Sequence, residues 1–120
     1  MSKYLLDTCI IIWILEDDQK NLSKFMEILT DSKNTFFVSL ASYWEMAIQN
    51  SIGKLNIPDN MISKVEESGI KWLNIQLEHL DQVRKLPPIH NDPFDRLIIA
   101  QAQLEGMKIL TRDPKVSQYL

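Results

Sequence analysis

Residues 3–16 read KYLLDTCIIIWILE, and the change of pattern inside this stretch decides the fold class. Lys3-Tyr4-Leu5-Leu6 reads as a strand and Cys9 to Glu16 as a helix, with the acid Asp7 at the junction. A strand that feeds straight into a helix is the opening of an α/β unit. The pattern repeats downstream. Ser23 to Thr30 carries Phe25, Met26, Ile28 and Leu29 at helical spacing, and Thr35-Phe36-Phe37-Val38 follows as a buried strand of β-branched and aromatic residues. Ala41 to Ile52 returns to helical spacing, with Gly53 placed to end it.

After a connector at Lys54 to Pro58, Asp59 to Glu67 reads as a helix, Lys71 to Ile75 as a strand and Leu77 to Leu86 as a helix. Pro87 to Pro93 is a polar, proline-rich loop. Phe94 to Leu104 is then an apolar helix, Lys108 to Leu110 a strand and Pro114 to Gln118 a short helix. About four strands, each separated by helix, predict a central parallel sheet covered by helices on both faces, because parallel strands need crossover connections.

The chain of 120 residues is long enough to bury one core, so a single domain over 1–120 is expected. Its 45% hydrophobic and 24% charged residues match ordinary globular usage. The strongest apolar run, Cys9 to Leu15, falls far short of the roughly 20 residues of a membrane-spanning helix, and no signal region precedes Asp7. A cytoplasmic protein without a membrane span is the expectation. Cys9 has no partner for an internal disulfide and lies in an apolar run, which argues against a catalytic thiol. A formal charge of −3 argues against a nonspecific grip on a phosphate backbone, although a bound divalent cation would reverse the sign locally, so composition is neutral on nucleic acid as substrate.

Four acids stand where such a sheet would place its functional edge, beyond the carboxyl ends of the strands. Asp7 follows the first strand, Asp113 follows the last, Asp95 lies in the first turn of the helix before that last strand, and Glu45 sits on the helix after the second. Each has a structural alternative. Asp7 and Asp113 suit helix N-caps, Glu45 stands three residues after Ser42 at capping-box spacing, and Asp92-Pro93-Phe94-Asp95 is ordinary helix-start chemistry. Convergence would separate the readings. Carboxylates within about 4 Å repel by on the order of 4 kcal/mol per pair at an effective dielectric of 20, more than caps offset, whereas Mg²⁺ or Mn²⁺ would hold them.

Leu5-Leu6-Asp7-Thr8, Ser39 with Trp44-Glu45, Gly53-Lys54-Leu55, the run Asp92-Pro93-Phe94-Asp95-Arg96-Leu97-Ile98-Ile99-Ala100-Gln101-Ala102, and Leu110-Thr111-Arg112-Asp113 together resemble VapC-type PIN-domain toxins. No single motif is specific; their order and their coverage of nearly the whole chain are. The resemblance implies a PIN-like three-layer fold and a metal site of Asp7, Glu45, Asp95 and Asp113. Thr111 resembles a hydroxyl beside the last acid, Thr8 belongs to the first motif, and Asp92 resembles an auxiliary acid whose capping role is expected to dominate. The family further implies RNA cleavage, a homodimer and inhibition by a cognate antitoxin. Similar proteins continue past the last acid into a helix and a short strand, which leaves the C-terminal packing open.

The chemistry expected of that site is water-driven hydrolysis of an RNA phosphodiester, with Asp7 and Asp95 as direct ligands and Arg96 and Arg112 as candidates for phosphate contact. His79 and His90 lie outside the acid motifs and are expected at the surface or at helix ends. Trp13 and Trp72 are expected in the core, and Trp44 beside the pocket or a partner groove. Two alternatives remain: a metal-dependent phosphohydrolase of small esters, disfavoured by the lack of a Gly-rich phosphate loop, and a catalytically silent PIN-like module that only binds protein.

Overall fold

The computed structural model describes residues 2–118. Strand β1 (Lys3–Leu6) enters helix α1 (Thr8–Leu15) through Asp7, as the opening stretch predicts. Two single-turn helices, α2 (Gln19–Leu22) and α3 (Met26–Leu29), flank a 3₁₀ turn at Ser23–Phe25. Strand β2 (Thr35–Ser39), helix α4 (Leu40–Ser51), helix α5 (Met61–Glu67), strand β3 (Lys71–Leu73) and helix α6 (Leu77–Val83) follow. The chain then forms α7 (Pro93–Glu105), strand β4 (Lys108–Leu110) and α8 (Pro114–Ser117).

The four strands form one parallel sheet in the order β3-β2-β1-β4. Because side chains alternate along a strand, neighbouring residues enter opposite layers. Leu6, Val38 and Leu110 pack with Ile10, Ile11, Trp13, Met46, Met61 and Val65 on one face. Leu5, Phe37, Leu73 and Ile109 pack with Ile98, Ile99, Ala102 and Val116 on the other. Each fully buried Leu or Ile stabilises the fold by about 1.5–3 kcal/mol relative to exposure, so the sheet is held from both sides, as the sequence predicts.

The largest departure is at Ser23 to Thr30, where one helix is expected and short turns are found. Hydroxyls bend the chain there: Ser23 Oγ donates to Lys20 O and Thr30 Oγ1 to Met26 O. The third strand also ends at Leu73 rather than Ile75. Gly53, at φ +77°, follows α4 as expected, and Gly106, at φ +66°, closes α7 in the left-handed conformation. No helix among the described residues is long and apolar enough to cross a membrane.

His79 stands at a helix end, one of the two places expected of it, and it is buried there instead of lying at the surface. It is fully buried three residues into α6, where Nδ1 accepts from Gln76 N and Nε2 meets Glu105 Oε2 at 2.9 Å. Gln101 Nε2 also reaches that Nδ1, and Gln101 Oε1 accepts from Ser39 Oγ at 2.6 Å. A buried polar chain therefore joins α6 and α7 to the end of β2. Every member is hydrogen-bonded, as burial requires.

Candidate active site

The sheet order reverses at β1: the chain steps outward to β2 and β3, then returns to place β4 on the other side. A crevice forms at the carboxyl ends of strands where such a reversal occurs. An open cleft of about 460 Å³ lies there, lined by Asp7, Thr8, Glu45, Asp95, Arg112 and Asp113 among others. All four predicted acids thus reach one place.

Asp7 serves two purposes at once. Its Oδ1 accepts from Thr8 N at 2.7 Å, the cap that starts α1, and its Oδ2 accepts from Thr111 Oγ1 at 2.6 Å. Its backbone N donates to Leu110 O at 3.0 Å, carrying the β1–β4 ladder one residue further. Capping and site geometry are therefore not rival roles for this residue. Glu45 is different. The helix that carries it is capped by Ser39, whose Oγ accepts from Ala41 N, so Ser42 is not its cap and the capping-box explanation of Glu45 fails. Its Oε1 instead accepts from Thr8 Oγ1 at 2.7 Å.

Asp92 caps α7, with Oδ1 accepting from Phe94 N at 2.9 Å and Asp95 N at 3.2 Å. Asp113 caps α8 through Lys115 N, while its own N donates to Thr111 Oγ1. Thr111 thereby ties the first acid to the last. Arg112 lines the cleft with its guanidinium 5.0 Å from the centre of the Trp13 ring. Arg96 does not face the cleft. Its Nη1 donates to Pro87 O and His90 O and its Nη2 to Val83 O, so the guanidinium holds the 84–92 loop against α7 instead of waiting for a phosphate.

His90 is the residue that motif spacing missed. Its Nε2 lies 2.9 Å from Asp95 Oδ2 and 3.1 Å from Asp113 Oδ2, while its Nδ1 accepts from Asp92 N. Expected at the surface or a helix end, this histidine lies just ahead of α7 and is mostly buried between two of the acids. His90, Asp95 and Asp113 can each offer a ligand atom within 4.8 Å of the others. The one sequence signal for it is position, two residues before the Asp92 cap.

The electrostatics show strain among like charges. Burial, then the carboxylates of Asp7 and Asp92, push the Asp95 carboxyl up to about 7, against a weaker lowering by His90. Burial also raises Glu45, opposed by the Thr8 hydroxyl and reinforced by Asp92 and Asp7. Burial works upward on Asp113 too, but hydrogen bonds from Lys115 N and His90 outweigh it and leave that carboxyl below its ordinary value. Burial and then Asp7 push the Cys9 thiol up to about 11, which opposes thiolate chemistry. Clustered carboxylate oxygens suit a hard divalent cation such as Mg²⁺ or Mn²⁺, which would favour the charged form of Asp95 that burial and its acidic neighbours oppose.

The PIN-domain family model matches residues 4–119. The chain belongs to the PIN-domain family. Two solved structures align with this PIN domain along most of its length. One is VapBC2 from Rickettsia felis bound to a DNA fragment from their promoter: 18% identity, TM-score 0.71, covering 98% of this chain and 92% of that one. The other is a toxin-antitoxin complex from Klebsiella pneumoniae: 21% identity, TM-score 0.63, covering 93% of this chain and 88% of that one. At these identities the likeness is one of fold. No curated protein matches the chain.

The Asp92 cap gives a separable test in this PIN domain. Asp92→Ser keeps an acceptor for Phe94 N and should cost a few tenths of a kcal/mol, whereas Asp92→Ala should cost about 1 kcal/mol. Both remove a negative neighbour of Asp95, so its carboxyl should titrate lower in each variant by NMR. Equal stability of the two variants would remove Asp92 as the cap.

Proposed function

We propose that this PIN domain is a metal-dependent endoribonuclease and the toxin of a toxin-antitoxin pair. The observation that carries the reading is the convergence of Asp7, Glu45, Asp95 and Asp113 on one cleft, with Asp95 pushed up to about 7 by burial and then by its acidic neighbours. Family membership supports nuclease chemistry, and the two aligned complexes support the toxin role.

In this reading Asp7 and Asp95 are direct ligands, and Glu45 and Asp113 complete the site or orient water. Bound Mg²⁺ or Mn²⁺ supplies Lewis-acid charge at the scissile phosphate and at the attacking water. The chain does the positioning. Thr111 fixes the Asp7 Oδ2 lone pairs, Thr8 fixes Glu45, and the Asp7 and Asp113 caps lock both carboxylates to helix starts. Arg112, held over Trp13 at the rim, is placed to meet a phosphate oxygen. Water as nucleophile leaves a 5′-phosphate and a 3′-hydroxyl.

A protein partner is part of the proposal. Leu40, Trp44 and Ile48 are exposed and four residues apart, so they form one apolar row along α4, with exposed Ile52 at the C-cap just beyond it. Trp44 packs edge-on against Phe94, 5.0 Å between ring centres, and each is the sequence neighbour of a site acid. We assign this row to an antitoxin segment that runs toward the cleft, with homodimerisation through a further surface and residence in the cytoplasm as companion proposals.

The purified protein should cleave RNA with Mn²⁺ or Mg²⁺, stop on chelation and leave 5′-phosphate ends, while small phosphate esters stay intact in parallel reactions. Expression alone should arrest growth and coexpression of the neighbouring small reading frame should relieve it. Cleavage that persists in chelator, or ester turnover without RNA cleavage, would overturn the nuclease reading. Unimpaired growth with active enzyme in the extract would overturn the toxin reading.

A further inference from the structure

Two residues of the 84–92 loop touch the site: Asp92, which caps α7 through Phe94 N and Asp95 N, and His90, whose ring meets two of the acids. Its imidazole is 12% exposed, and its ring nitrogens have different tasks. Nδ1 accepts a hydrogen bond from the backbone N of Asp92 at 3.1 Å, so its lone pair is committed and the proton of the neutral ring belongs on Nε2. That N–H points at Asp95 Oδ2 and Asp113 Oδ2 together, at 2.9 and 3.1 Å. A protonated nitrogen has no lone pair for a cation. Shifting the proton to Nδ1 would set donor against donor at Asp92.

From this geometry we infer that His90 is a positioning residue of the site: it holds the Asp95 and Asp113 carboxylates as a pair through Nε2–H and is not itself a ligand of the cation. The inference rests on the metal-site reading proposed above. Asp95 comes from the start of α7 and Asp113 from the turn after β4, so no single element fixes their separation. A shared donor does, and it draws together two groups that would otherwise repel. The donor is fixed in turn. Arg96 Nη1 binds His90 O at 3.2 Å and Pro87 O at 3.1 Å, and its Nη2 binds Val83 O at 3.0 Å, which anchors the loop to α7. These bonds tie the Arg96 guanidinium to the carbonyls of Val83, Pro87 and His90, a structural task beside the phosphate contact expected of it.

The test uses the full chain with Mn²⁺ alone as probe. In metal-free wild type, ¹⁵N NMR of the imidazole should show the Nε2–H tautomer, and pulsed EPR of the Mn²⁺ form should show no directly bound imidazole nitrogen. His90→Leu should weaken Mn²⁺ binding by about tenfold or more, the usual cost of losing a hydrogen bond that orients a ligand, while His90→Gln, which retains an N–H donor, should stay within about threefold. An Nδ1–H tautomer, a bound-nitrogen coupling in wild type, or unchanged affinity in His90→Leu would overturn the inference alone. Failure of wild type to saturate with Mn²⁺ would overturn the metal reading, and the inference with it. The tautomer and the nitrogen coupling are read on wild type, so they stand whether or not a variant folds.

Discussion

Asp95→Asn should lower RNA cleavage by at least about 10²–10³-fold and, in the same protein without metal at pH 8, raise the melting temperature. The two effects have one cause. The Asp95 carboxyl is pushed up to about 7, so at pH 8 the folded protein holds it charged against burial and against Asp7, Asp92 and Glu45. Each unit of such a shift corresponds to about 1.4 kcal/mol, and relief of the charge should recover a few kcal/mol, or roughly 10–15 °C for a domain of this size. Asn preserves the shape and can still accept from His90. A variant that loses stability along with activity would show that Asp95 holds the fold together, and wild-type cleavage would remove it as a ligand. Asp7→Asn should lose cleavage similarly without the gain, because Oδ1 and Oδ2 of Asp7 already accept from Thr8 N and Thr111.

The metal-free chain should become less stable as pH rises from about 4 to about 7, and a divalent cation should reverse this loss. Asp95 has a folded-state pKa above its unfolded value near 3.8, so its contribution is fully present below about 4 and is lost as pH climbs through about 7. Glu45, also raised, acts in the same direction. Asp113 is lowered, so its contribution disappears only as pH falls below its ordinary value, outside that window. A cation that binds the charged cluster stabilises the folded state by linkage, which depends on its concentration relative to Kd. Differential scanning at pH 5 and pH 8, with and without Mg²⁺ or Mn²⁺, should show a larger upward shift at pH 8. An equal shift at both values would mean that the cation binds elsewhere.

How far the sequence revealed this molecule depends on how local each interaction is. Lys3–Leu6 and Lys108–Leu110 were legible as strands because both form compact apolar runs between clear turn and helix signals, and the pairing of β1 with β4 makes neighbours of the termini that carry Asp7 and Asp113. The acids were legible because strand ends and caps mark them. Glu45 was ambiguous, since Ser42 imitates a cap, and only the true start of α4 at Leu40 after Ser39 resolves that ambiguity. His90 was not legible. It acts through a loop conformation set by Arg96 contacts to backbone carbonyls, which have no side-chain signature. His79 had a faint one: Gln76 and His79 stand at capping-box spacing, and they bond reciprocally.

The hydrogen bond between Thr111 and Asp7 joins residues 104 positions apart, and this separation has a meaning in time. A ribosome adding about 5–20 residues per second makes Asp7 roughly 5–20 s before Thr111. Throughout that interval β1 has no β4 beside it, the Asp7 carboxylate has no Thr111 hydroxyl, and Asp113 does not yet exist. A chain broken off by stalled translation anywhere before β4 holds at most three of the four acids, without the strand that brings them together. For a chain proposed to cut RNA, the moment of greatest proximity to RNA, its own synthesis, is also the moment when it has no assembled site.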